Sequence, residues 1–252
     1  MLTGLLRRNV SGAFANASSG ARSGFAAAAA LACAVALSAP ALATEITDPK
    51  GDILATFSGN HNAADLDVTS ASVTFSNNTF HLSASVAGDV RATTPNALYV
   101  WGIDRGHGTA VLNQGATPVG SGVTFDSVVV FVPGGAILSQ IDKDGLFGPV
   151  TALSPTIVGN TLSVDVTLDQ LRALPGTDPD FDVEGFLFNF WPRLGANVKD
   201  GTEVSDFVPG GVDGVGSTFT VPEPGALTLM IGGVGLAGAM RRRRSATTAS
   251  SA

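Results

Sequence analysis

The sequence predicts an all-β fold: an antiparallel β-sandwich, jelly-roll-like, with a cleaved N-terminal signal peptide before it and a short C-terminal transmembrane segment after it. Three observations predict the sandwich. Short β-branched and aromatic runs recur between Gly, Pro and Asn punctuation. One of them, Phe80-His81-Leu82-Ser83-Ala84-Ser85-Val86, alternates apolar and polar residues without a break, the period of a half-buried strand. Only Leu168–Leu174, stopped by Pro175-Gly176, reads as a short helix.

Taken in order, the chain opens on basic Arg7, Arg8 and Arg22, turns apolar from Phe25 through Leu37, and closes on Ala41-Leu42-Ala43. A basic stretch, an apolar stretch and a small-x-small site make a secretory signal peptide, so residues 1–43 are expected to be removed by signal peptidase between Ala43 and Thr44. Cys33 is the single cysteine, and Ala30 stands where a lipoprotein box would want leucine. Cleavage leaves a chain without disulfides, thiol nucleophile or thiolate metal site.

Residues 44–220 are the expected secreted β domain. Strands are predicted at Ile53–Phe57, Leu66–Phe75 and Phe80–Val86, the last two joined by a tight turn at Asn77-Asn78. Leu66 and Val68 share one parity, Val73 and Phe75 the other, which predicts a bulge near Thr69–Ala71. Further strands are expected at Ala97–Ile103, Ser127–Val132, Phe186–Trp191 and Ser217–Val221. Thr156–Val158, Gly159-Asn160 and Thr161–Val166 read as strand, turn and strand, with Leu162, Val164 and Val166 inward. The Ser/Thr/Ala-rich residues 245–252 are expected to be a disordered tail.

Charge narrows the function classes. Thr44–Val221 holds seven basic and twenty acidic residues, a net charge of −13. Such a field repels nucleic acid and anionic membrane surfaces, and it suits a soluble extracellular protein that can take up cations.

The tail, Val221 to Arg244, has its own logic. Ala226 to Met240 is 15 residues without a charge. As a helix it would reach only about 22 Å, against roughly 30 Å of hydrocarbon. Arg241, Arg242, Arg243 and Arg244 then stop transfer and stay cytoplasmic, which puts the acidic domain on the far side. Pro222 and Pro224 hold the backbone extended, the form a protease cleft accepts, and Glu223 offers the only charge there.

The order Pro222-Glu223-Pro224, short apolar span, arginine cluster resembles the PEP-CTERM sorting signal, over residues 221–244. The resemblance implies an exosortase substrate in a Gram-negative bacterium that makes exopolysaccharide. It implies transient anchoring in the inner membrane, cleavage near the Pro-Glu-Pro motif by that integral membrane cysteine protease, and release or re-attachment outside.

Three kinds of chemistry are candidates for the domain itself. Asp48, Asp52, Asp65 and Asp67 would converge if the first two strands pair, and Ca²⁺ wants six to eight oxygens of this kind. Asp142-Lys143-Asp144-Gly145 and the run Asp178, Asp180, Asp182, Glu184 are further acidic groups; the latter lacks the Glu that ends an EF-hand loop, since Trp191 stands there. Trp101 and Trp191 are candidates for stacking on sugar rings, Trp191 as the ring at a strand end. Asp104, Arg105 and His107 share a turn, but no G-x-S-x-G, H-E-x-x-H or P-loop occurs.

The leading expectation is a non-enzymatic, exported β-sandwich protein of the cell surface or biofilm matrix, structural or adhesive, with no cofactor unless calcium. The alternatives are a carbohydrate-binding module for exopolysaccharide and a hydrolase. The latter needs two carboxylates, or His107 with a nucleophile, in one cleft.

Overall fold

A computed structural model describes residues 44–90, 94–176, 182–211 and 213–221. The expected signal peptide, the Pro222–Pro224 motif, the span 226–240, Arg241–Arg244, the tail, and Asp178 and Asp180 lie outside the described residues. Among the described residues no helix is long and apolar enough to cross a membrane.

The described residues form eleven strands: β1 (Thr44–Thr47), β2 (Val68–Ser76), β3 (Thr79–Val86), β4 (Ala97–Asp104), β5 (Ser127–Val132), β6 (Gly135–Ile141), β7 (Phe147–Leu153), β8 (Thr156–Val158), β9 (Thr161–Thr167), β10 (Leu187–Leu194) and β11 (Phe219–Thr220). They make two sheets, in the orders β1-β2-β3-β9-β8 and β11-β10-β4-β5-β6-β7. Every pairing is antiparallel. The expected all-β sandwich is what the chain forms.

Local chemistry explains the connections. Asn77 and Asn78 both have positive φ, 49° and 61°, the backbone a two-residue hairpin turn needs between β2 and β3. The register of that pair slips between Val68 and Ser70, so the bulge expected from the parity change is present. Gly159, φ 59°, turns β8 into β9. After β9 comes α1 (Leu168–Arg172), the one α-helix among the described residues. Thr167 opens it with a capping box: its hydroxyl accepts from the Gln170 N–H, and the Gln170 side chain accepts from the Thr167 N–H.

The core lies between the sheets. Phe80 of β3 meets Phe188 of β10 with ring centroids 5.3 Å apart, and Phe186 at 5.4 Å. Phe190 pairs with Trp101 in register, so both point inward with Phe188, their rings 5.1 Å apart. Trp191 points to the outer face of the same sheet. There it is covered by Phe125 and Phe207, with centroids at 5.1 and 6.2 Å. Gly102 leaves the room for that ring: a Cβ there would lie 2.6 Å from Trp191 Cζ3. Gly102→Ala is therefore expected to cost about 1–3 kcal/mol through overpacking, read by urea denaturation.

Three expectations are corrected. Ile53–Phe57 is not a strand but a turn that drops Leu54 and Phe57 into the core, closed by the Phe57 N–H on the Leu54 carbonyl at 3.0 Å. Ile53, Ala55 and Phe57 have the i, i+2 spacing of a strand, but Ala55 is exposed, and the buried pair Leu54 and Phe57 has the i, i+3 spacing of a turn. Strands β1, β6 and β7 were not expected. Gly135 and Gly148-Pro149 interrupt the apolar pattern of the last two, although Pro133-Gly134 marks the β5–β6 turn. Finally, β11 is only two residues long.

Candidate metal centre and sorting motif

β1 ends at Thr47 and the chain bends through Asp48–Asp52 on its way to β2. Two bonds fix that bend: the Asp48 N–H donates to the Thr69 carbonyl at 2.9 Å, and the Gly51 N–H donates to both Asp67 carboxylate oxygens at 3.0 Å. From the other end of the sequence, β10 leads into the segment carrying Ser205, Asp206 and Phe207. This segment is pinned by the Ser205 N–H on the Pro192 carbonyl and the Val208 N–H on the Phe190 carbonyl. The Asp206 carboxylate is wholly buried. One of its oxygens accepts from the Val68 N–H at 2.8 Å, the other from the Phe207 N–H at 2.7 Å.

The result is a cluster of Asp48, Asp52 and Asp206, with one carboxylate oxygen of each within 4.8 Å of the others. That spacing fits oxygens arranged around a cation at 2.3–2.6 Å each. Asp48 Oδ2 and Asp52 Oδ1 are themselves buried and have no hydrogen-bond partner. Among the described residues the ion pairs lie elsewhere, so no lysine or arginine neutralises the group. Burial first, and the Asp48 charge second, push the Asp206 carboxyl up to about 9. Burial, with Asp52 and Asp67 nearby, pushes Asp48 up to about 7. Asp52 is raised mainly by burial. Such a group must either hold protons or hold a cation.

Of the four aspartates considered together from the sequence, Asp48 and Asp52 meet and Asp67 braces their loop. Asp65 turns away: its carboxylate accepts from the Thr94 N–H and hydroxyl at 2.6 and 2.9 Å. Asp206 was not anticipated. Nothing in Ser205-Asp206-Phe207 marks it, and its place depends on the pairing of β10. The Asp142 group is a turn closed on itself, Asp142 accepting from the Asp144 and Leu146 N–H groups.

The sugar-stacking candidates are corrected by burial. Trp101 is 0 % exposed and Trp191 1 %, so neither ring has the open face that stacking on a sugar needs, although Trp191 lies at the floor of an apolar groove. Asp104, Arg105 and His107 do not form a reactive site either. Arg105 is buried against Asp126, and Asp104 accepts from the Gly106 and Gly108 N–H groups and the Thr124 hydroxyl. A different row does carry the residue types of acyl transfer: Ser76 Oγ lies 3.0 Å from His81 Nε2, and His81 Nδ1 2.8 Å from Asp165 Oδ1. It lies across the open outer face of β2, β3 and β9, with the His81 and Asp165 side chains 42 % and 69 % exposed. None of these three residues lines the cavities beside Tyr99, Trp191 or Pro209, and at that exposure water reaches the imidazole freely.

At the end of the fold, β11 pairs with β10 only at Leu187↔Thr220 and Phe188↔Phe219, and Val221 is still buried. The Thr44 hydroxyl donates to the Thr220 carbonyl at 3.3 Å, so the chain enters and leaves the sandwich on the same flank. The sequence beyond that point is what the comparison with known families identifies. No curated protein matches the chain. Residues 220–244 match the family model of the PEP-CTERM protein-sorting motif, beginning on β11 itself, and the chain is a PEP-CTERM sorting domain-containing protein, exported for exosortase processing.

Proposed function

We propose that residues 44–220 are a structural or adhesive component of the Gram-negative cell surface or matrix, not an enzyme. The sorting signal anchors this cargo briefly in the inner membrane, and an exosortase-type enzyme then cuts near Pro222-Glu223-Pro224. The observation that carries this reading is the direct continuity of the final strand with the sorting motif, which makes the acidic sandwich the cargo next to the signal. The fold supports a passive role, since both tryptophans lie in its core and the serine–histidine–aspartate row lies open to solvent.

In this reading Asp48, Asp52 and Asp206 hold one Ca²⁺, with Asp67 bracing the loop. The ion would join the segment after β1 to the segment after β10, so it fastens both ends of the domain. Calcium is the fitting cation because the donors are all oxygens, with no histidine or cysteine among them.

Intact mass spectrometry of the exported protein, with and without the host's exosortase, tests the sorting claim. The expected C-terminus lies near Pro222 when the enzyme is present and beyond Arg244 when it is deleted. The same uncut C-terminus in both strains would remove the claim.

A further inference from the structure

The two sheets end side by side on one flank. Among the described residues β7 is the last strand of the six-stranded sheet and pairs only with β6; β8 stands at the end of the five-stranded sheet and pairs with β9. Ser154-Pro155 is all that separates them, so β8 lies beside the free edge of β7. Exposed edges of this kind carry unpaired N–H and C=O groups, and monomeric proteins blunt them with charge, above all lysine. Neither β7 nor β8 carries any: from Leu146 to Val164 the sequence has no Asp, Glu, Lys or Arg. Pro149 is the sole blocking residue on β7. It falls where the β6–β7 register shifts, between the Ile141↔Phe147 and Ser139↔Val150 pairs, and leaves Val150–Leu153 as a regular ladder.

The apolar surface is concentrated here too. Of the five large apolar side chains exposed among the described residues, four lie on this flank: Leu146 at 66 %, Phe147 at 44 %, Val150 at 61 % and Val158 at 68 %. Phe147 and Val150 also rim an apolar groove of about 340 Å³ on the outer face of the six-stranded sheet, floored by Val100, Val130 and Trp191. The opposite flank is closed by the bond between Thr44 and Thr220, and there the sorting motif departs. The β7–β8 flank therefore points away from the point of attachment.

We infer that two copies of this chain associate through the free edge of β7, antiparallel and about a two-fold axis, joining their six-stranded sheets into one. A second copy is the partner the charge distribution selects. Two domains of net charge −13 repel over most of their surface and meet without that cost only where both are uncharged. An open edge is also complementary to itself: antiparallel pairing satisfies the donors and acceptors of both strands at once, and a two-fold interface closes without leaving a free edge of β7. The inference is independent of calcium and of where the exosortase cuts.

Sedimentation velocity on the exported protein, in about 0.15 M salt to screen the residual repulsion and up to about 100 µM, tests it. A concentration-dependent dimer is expected. Val150→Lys, at an exposed position the monomer tolerates, should raise the dimer dissociation constant at least about tenfold, and Val158→Lys should act in the same direction. Val215→Lys, at an exposed apolar residue off this flank, should change nothing. Circular dichroism melts of all three should match the parent. A monomer at every concentration, or a dimer that Val150→Lys leaves intact, overturns the inference. Open-ended polymers that Val150→Lys abolishes overturn the two-fold arrangement, since they would require β7 to meet a different edge.

Discussion

Arg105→Ala is expected to lower the stability of the domain by about 3–5 kcal/mol, enough to leave much of it unfolded at ambient temperature. Arg105 follows β4 and is fully buried. Its Nε donates to Asp126 Oδ1 at 2.7 Å, and its terminal nitrogens donate to the carbonyls of Leu171 and Pro175 at 3.1 and 3.3 Å. One side chain thus neutralises a buried carboxylate and ties the C-terminal end of α1 to the loop after β4. Alanine would strand the Asp126 charge and take a donor from each of those carbonyls, and stranding a buried charge costs far more than the pair contributes net. The double variant Arg105→Met with Asp126→Leu should recover a large part of the loss, because no charge is then left alone. Urea denaturation of the two variants and the parent checks this. A single variant within about 1 kcal/mol of the parent would show that the pair is not the anchor the geometry describes.

The second large effect concerns Asp206 and pH. In the metal-free protein the carboxyls of Asp206 and Asp48 are held up to about 9 and about 7. Between the ordinary carboxylate value and those raised values, the folded state binds more protons than the unfolded state. Stability must therefore fall as pH rises across that window, by at most about 1.4 kcal/mol per pH unit for each proton. The metal-free domain should melt at a higher temperature at pH 5 than at pH 8. Calcium should reverse this ranking, because it replaces the protons at pH 8 and competes poorly with them at pH 5. Asp206→Asn should flatten the slope and abolish the calcium-induced rise in Tm. Scanning calorimetry with EDTA, with millimolar calcium and with magnesium checks all three. An Asp206→Asn protein that calcium still stabilises as strongly as the parent would place the ion elsewhere.

These effects show where the sequence was readable. Interactions between near neighbours were legible, because their geometry is set within a few residues. The Asn77-Asn78 turn, the Gly159 turn, the bulge at Thr69 and the stop after α1 each follow from local backbone chemistry. Ile53–Phe57 was misread since its apolar residues carry both the spacing of a strand and that of a buried turn. β6 and β7 were missed because glycine and Pro149 break their alternation, and an edge strand needs no continuous apolar face. The tryptophans show a further limit. Trp191 lies inside β10, not at a strand end, and a ring on the outer face of a sheet is exposed or buried according to what lies above it; Phe125 and Phe207, which cover Trp191, come from other parts of the chain.

By itself the sequence determined the all-β class, most of the strands, the acidic character of the cargo and the sorting motif. All of these depend on composition, period or contiguous order. Only the tertiary structure decided that Asp206 joins Asp48 and Asp52, that Asp65 leaves them, that both tryptophans are core, and that the uncharged strands β7 and β8 lie side by side. The physical reason is the same throughout. Convergence of remote side chains depends on strand order and register, and these are fixed by how two whole sheets bury their apolar faces against each other, not by any short stretch of chain.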